Sequence, residues 1–401
     1  MRKDPVILLL LMLLLSSACE RQAQWPSPLH PVTVRVVYPE GYTELARAGV
    51  RVVFSMIASS QNYVVRTDET GCVSTRLPTG VYRVKVSDKG PDVFFNGLVS
   101  RCLVNGECRM DVPLVVSKAS PLLIRELYIG GCSKAPKEGT YQSDQYVLLH
   151  NNFNAVYYLD SLCFGTLSPY NSTAVNRWMS EDGKFPAFAP ITTVVWRFPG
   201  DGHSFPLAPG ADALIALRGA IDHTLEYPLS VNLNRPDCFV CYNPTYFPNT
   251  LYHPAPGDQI LQDHILDVVI KTGQANANTV SITSPTFLIF KAKGTSIEEW
   301  VSREDATAVT PGNSSDVVVK IPWEWVLDAV EVFNGSSSGN SKRLPPDQDA
   351  GFVFQDEPYK GYVLTRHIDE QESMVAGFTI LMDSNNSNDD FYQSTRSLLR
   401  P

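Results

Sequence analysis

The sequence predicts an all-β protein built of β-sandwiches, the second enlarged by loop insertions. Three observations point there. From Val32 to Val116, short runs alternate apolar and polar residues, the period-two pattern of half-buried strands. Turn signals such as Asp68-Glu69-Thr70-Gly71 and Pro78-Thr79-Gly80 fall between such runs. Only Ser296 to Ala306 and Trp323 to Val332 read as helical, and the second fits a strand equally well because Trp323, Trp325 and Leu327 alternate. At 44% hydrophobic over 401 residues, the composition supplies a packed core and excludes a disordered chain. Lys+Arg 33 against Asp+Glu 42 gives a net charge of −9, which excludes nucleic acid as a partner.

The elements follow in order. Arg2 and Lys3 precede an unbroken apolar run from Val6 to Leu15. Ten helical residues at ~1.5 Å each cover about half of a ~30 Å bilayer core, so residues 1–18 read as a secretory signal and not a span. Leu15-Ser16-Ser17-Ala18-Cys19 then resembles the lipobox of bacterial lipoproteins, with Leu15 one place further from the cysteine than usual. That resemblance implies lipidation of Cys19, a membrane partner through the lipid anchor, and an outer-membrane location with its face open. The other reading is an ordinary secretory signal with an incidental cysteine. Residues 19–31, rich in Gln and Pro, read as a tether.

Residues 32–117 form the first predicted sandwich. Val32 to Tyr38 alternates, Val50 to Phe54 and Asn62 to Thr67 follow, and Asp68-Glu69-Thr70-Gly71 makes a turn before "LPTGVYRVKV" (Leu77 to Val86). Gly71 suits a positive φ and Gly80 suits a turn into the next strand. This succession resembles the carboxypeptidase regulatory-like, or prealbumin-like, domain. The resemblance implies an immunoglobulin-type sandwich that works as a spacer or binding platform.

Residues 118–401 form the second domain. Ile124-Arg125-Glu126, then Tyr146 to Asn152, Tyr158 to Leu162, Phe205 to His223 and Val326 to Glu331 resemble successive strands of lamin-tail-like domains. Ser161 stands where that family has glycine, so its turn must be built differently. The expected fold is thus a tandem of immunoglobulin-like sandwiches. Polar, proline-rich connections between Asn171 and Pro285 exceed ordinary loop lengths and predict insertions packed on the second one. Together with the terminal "GFTILMDSNNSNDDFYQS" (Gly377 to Ser394), these segments resemble an uncharacterised family of Bacteroidota lipoproteins. Members of it accompany TonB-dependent outer-membrane receptors, which implies such a receptor as a partner. Charge separates the halves. Residues 20–117 carry 11 basic and 9 acidic side chains, net +2, and residues 118–401 carry 20 and 32, net −12.

Seven cysteines follow Cys19, an odd number for an exported chain. Cys102 and Cys108 flank Asn105-Gly106, a hairpin signal; a two-residue turn would put them on opposite faces and a three-residue loop on one. Cys238 and Cys241 have the spacing of half a zinc site or a redox pair, but no second half completes it, and a local disulfide or burial is the other reading.

No Gly-x-Ser-x-Gly, His-Glu-x-x-His or P-loop occurs, and no cofactor is implied. Asp222-His223 and Asp263-His264 repeat one dipeptide and are weak metal candidates against the plainer reading of surface histidines. Asp383, Asp389 and Asp390 offer oxygen ligands for Ca²⁺, though the segment lacks the glycine and closing glutamate of an EF-hand loop. Trp323 and Trp325 could form an aromatic ligand platform or fill the core. Asp160-Ser161-Leu162 resembles the short Bacteroidota O-glycosylation signal. The function expected is that of a non-enzymatic binding or accessory protein serving a TonB-dependent nutrient or metal uptake system. A structural or adhesive surface protein is the alternative, and a hydrolase the remaining one.

Overall fold

The computed structural model describes residues 28–400 except 44–47, 58, 60, 90–92 and 119. The signal region and Cys19 lie outside the described residues. The chain is all-β, as expected, with its strands in several sheets. Two compact units divide the described residues: those within 28–37, 48–85 and 99–112 belong to the first, and those within 38–43, 86–98 and 113–400 to the second.

In the first unit, strand Leu29–Val37 lies between Cys72–Pro78 and Cys108–Pro113. Alternation decides its faces: Val32, Val34 and Val36 are buried, while Arg35 points outward to pair with Asp111. Val34 sits opposite Val73 in the antiparallel register. Arg51–Met56 pairs with Asn62–Arg66, and Val52, Phe54, Tyr82 and Val84 join the same buried set. Gly71 takes φ +76 and closes the turn in which Asp68 accepts hydrogen bonds from the Thr70 and Cys72 amides. Gly80 lies at a strand start, where a side chain would crowd Met56 and Tyr82.

In the second unit, two sheets face each other. One runs Cys238–Val240, Asp212–Ala216, Tyr146–Asn151, Leu122–Tyr128, Val363–Arg366, Phe391–Ser394. The other is centred on Phe188–Arg197, Cys163–Leu167, Thr286–Phe290 and Val326–Asn334. Ile124, Val147 and Ile215 of the first sheet and Phe164, Trp196, Phe287 and Val330 of the second share one core. Each sheet also buries its other face. Val231, Leu233 and Ala220 cover the first, and Ile297, Trp325 and Leu344 cover the second. The polar, proline-rich insertions therefore close over the sandwich, and Tyr146–Asn151 is buried at every position.

Local chemistry explains the exceptions to the strand pattern. Ser296 caps helix Ile297–Val301 by accepting from the Glu299 amide. Trp323–Trp325 is a single 3-10 turn, and strand Val326–Asn334 begins directly after it. Ser161 adopts φ +61, keeping the left-handed conformation that glycine usually supplies. Beside it, the buried Asp160 carboxylate accepts from the amides of Gly202, Ser204 and Phe205 at 2.8–3.0 Å. Burial works against that charge, yet the three amides hold its pKa down at about 2.

Candidate functional site

The second unit buries two guanidinium groups, and they differ in charge balance. Arg343 and Glu331 are both fully buried. Arg343 donates Nε and Nη2 to Glu331 Oε1 at 2.8 and 2.7 Å, and its other donors reach the carbonyls of Pro169, Ser284 and Val332. Glu331 Oε2 accepts from the amides of Arg343 and Leu344, and Oε1 from the Thr286 hydroxyl. Burial penalises the Glu331 carboxylate, but Arg343, Lys342 and the two amides outweigh it and lower its pKa. One positive charge meets one negative charge, with every polar atom occupied.

Arg366 ends strand Val363–Arg366, whose neighbour is Leu122–Tyr128. Its side chain is 2% exposed. Nε donates to Ile124 O at 2.9 Å, Nη2 to Asp328 Oδ2 at 2.8 Å, and Nη1 to Met382 O at 3.2 Å. Asp390 and Asp383 stand 3.4 and 3.6 Å from Nη1, and the Phe391 ring lies against the guanidinium at 4.6 Å. Three carboxylates thus surround one cation. Burial pushes the carboxyls of Asp328 and Asp390 up, against the pull of Arg366, and Asp383 adds to the rise. The two centres are linked by Asp349, which accepts from the Glu331 amide and from the amide and hydroxyl of Ser387.

Beside the Arg366 centre lies a cavity of about 260 Å³. Among the described side chains lining it are the carboxylates of Glu324, Asp328, Asp347 and Asp383, the indole of Trp323 and the apolar Leu327; no described lysine or arginine lines it. Asp328 is 10% exposed; its Oδ2 accepts from the Ile124 amide and from Arg366, and among the described residues nothing donates to Oδ1. Four carboxylates lining one cavity, with no described lysine or arginine among its walls, favour a cation.

The sequence-marked residues fall as follows. Trp323 is half-buried at this cavity, with Nε1 on Pro186 O, whereas Trp325 is buried edge-on to Trp300. Asp383 and Asp390 meet at Arg366; Asp389 accepts instead from the Asn386 side chain, and Asp390 from Ser384 and Asn386. A guanidinium therefore stands where the Asp/Asn-rich loop converges. His223 is buried between Tyr141 OH and Gly219 O, and Asp222 caps the turn that follows it. Burial lowers the His223 pKa. His264 stacks on Phe239 at 4.2 Å, next to the exposed Asp263. Among the described residues no group of three His, Cys, Asp or Glu side chains is arranged to hold a metal ion. Cys238 and Cys241 are buried thiols; burial pushes Cys238 up to about 12 and Cys241 well above its ordinary value. Cys102 and Cys108 approach to 3.7 Å. Arg366, Arg343 and Asp328 were not marked by the sequence. Their signal was two acids, Asp328 and Glu331, inside the otherwise apolar strand Val326–Asn334.

Comparison with known proteins identifies a domain but no activity. Residues 208–397 match the model of a family described as protein of unknown function (DUF4876). The crystal structure of a DUF4876 family protein from Bacteroides thetaiotaomicron is similar over 90% of this chain and 94% of that one, at 27% identity and a TM-score of 0.57. Both matches accord with an uncharacterised Bacteroidota family. A DUF3823 family protein from Parabacteroides merdae aligns over 43% of this chain and 83% of that one, at 14% identity and a TM-score of 0.19. The major pilin SpaD from Corynebacterium diphtheriae aligns over 36% and 42%, at 11% identity and a TM-score of 0.18. Neither of these carries an argument about this chain. No curated protein matches it. Among the described residues no helix is long and apolar enough to cross a membrane.

Proposed function

We propose that this chain is an exported lipoprotein, anchored at the outer membrane through Cys19, that works as a non-enzymatic binding or accessory protein. The ligand site is the acidic cavity beside Arg366, and the ligand class is an organic cation with an apolar body. The carrying observation is the cavity lining: four carboxylates beside the Trp323 indole, with no lysine or arginine among the described lining residues. The carboxylates favour the charge, and the indole favours the body through apolar and cation–π contact.

Titration of the full chain with benzylammonium should show saturable binding that benzoate, of matching size, does not show. Asp383→Asn should weaken it ~10-fold, about 1.4 kcal/mol, because it removes one of the four charges lining the cavity. Equal binding of the two probes, or of neither, contradicts the cavity reading. The lipobox resemblance supports the anchor, so Cys19→Ala should move the protein from the membrane to the soluble fraction. A TonB-dependent receptor is the partner expected from the family resemblance. Crosslinking in native membranes should recover it, and repeated recovery of no membrane protein counts against it.

A further inference from the structure

The tertiary course of the chain around Asn105-Gly106 gives its flanking cysteines a role that a hairpin would not. Strand Val93–Val104 belongs to the five-stranded sheet, whereas Cys108–Pro113 belongs to the three-stranded sheet beside Leu29–Val37. The three residues Asn105 to Glu107 therefore carry the chain from one sheet to another and do not close a hairpin. Cys102 is buried near the end of the first strand, and half-buried Cys108 opens the second. Their sulfurs stand 3.7 Å apart, in contact but unbonded.

We propose that Cys102 and Cys108 are a redox pair that closes a disulfide between the two sheets. The pair lies where such a bond has mechanical effect. Cys108–Pro113 is the edge of its sheet, in the order Cys72–Pro78, Leu29–Val37, Cys108–Pro113, so one strand alone holds it by backbone pairing. The exposed Arg35–Asp111 pair adds little there in salt. A covalent bond at Cys108 fastens the free edge at its first residue.

The oxidant is a small-molecule or protein disulfide acting by exchange. Cys108, the more accessible sulfur, attacks it as thiolate, forms a mixed disulfide and expels one thiolate of the oxidant. Cys102 then attacks the Cys108 sulfur and expels the second. The chain loses two electrons and two protons, and the oxidant leaves as two thiols. Burial and the neighbouring Cys108 push the Cys102 thiol up to about 12, which keeps it protonated and shielded until the mixed disulfide forms. Three of the other described thiols are engaged elsewhere: Cys132 donates to Asp144, Cys163 to Ser161 O, and Cys238 to Phe239 O.

Trypsin cutting after Arg101 and Arg109 releases both cysteines on one peptide, residues 102–109. The full chain, equilibrated in an oxidising glutathione buffer and alkylated before digestion, should yield that peptide unalkylated and about 2 Da lighter than its dithiol form. Hydrogen exchange in residues 108–113 should slow at least ~10-fold on oxidation, because the opened edge loses freedom when its first residue is tied. Cys102→Ser should leave the exchange rate independent of the buffer. A peptide alkylated twice after equilibration, or a bridged peptide with unchanged exchange, overturns the proposal.

Discussion

Arg343 and Arg366 sit in one sandwich at equal depth, yet one is finished and the other is not. Arg343 meets a single carboxylate, and the remaining donors and acceptors of both partners are used on the backbone and on Thr286. Such a pair is self-contained, and its net charge is zero. Arg366 meets three carboxylates, of which Asp328 and Asp390 have raised pKa and Asp328 and Asp383 line a cavity. A fold that needed only to neutralise Arg366 needed one aspartate. Surplus buried charge has a cost, and its persistence beside a cavity is what the proposed ligand site rests on.

The largest effect separating the two centres should come from Arg343→Met. It strands Glu331 at zero exposure with no nearby cation of comparable geometry, and should cost ~3–5 kcal/mol in urea unfolding. Arg366→Met should cost less at pH ~5 than at pH ~7.5, because carboxyls with raised pKa can take up protons when the cation is gone. A pH-independent penalty equal to that of Arg343→Met would erase the distinction. A smaller effect is expected from Asp383→Asn, which removes surplus charge and should change stability by no more than ~1 kcal/mol while weakening cation binding. The smallest should come from Asp111→Asn at the exposed Arg35 pair, where midpoints with and without the substitution should coincide in high salt.

How much of this was legible in the sequence depends on the range of the interaction. Val32, Val34 and Val36 declare their strand because alternation is local, and Gly71 declares its turn because φ is a property of one residue. Asn105-Gly106 looked equally local, but whether the strands it joins pair with each other is decided by their sheets. Trp323, Trp325 and Leu327 alternate as a strand does, yet the first two lie in a 3-10 turn. The Arg366 centre was illegible for a plainer reason: Asp328 is 38 positions away and Ile124 is 242. Asp383 to Asp390 resembled a cation loop because its side chains do converge on a positive charge, which an arginine from another strand supplies.

The distinction between the centres rests on protons. Glu331 has a lowered pKa in the fold, so its stabilisation is present above the unfolded value and is lost as pH falls through the folded one. Asp328 and Asp390 have raised values, about 7, so the folded chain binds more protons than the unfolded chain between pH ~4 and ~7. Their contribution is full below that window and is lost as pH rises through it. Asp328→Asn keeps an oxygen for the Ile124 amide and for Arg366 while removing the titration. The decisive measurement is unfolding free energy against pH for the wild type and this variant. Between pH ~5 and ~7 the wild type should lose stability relative to Asp328→Asn, with slopes differing by up to ~1.4 kcal/mol per pH unit. Parallel curves across that window, or a wild type that gains on the variant as pH rises, would contradict an overcharged Arg366 centre.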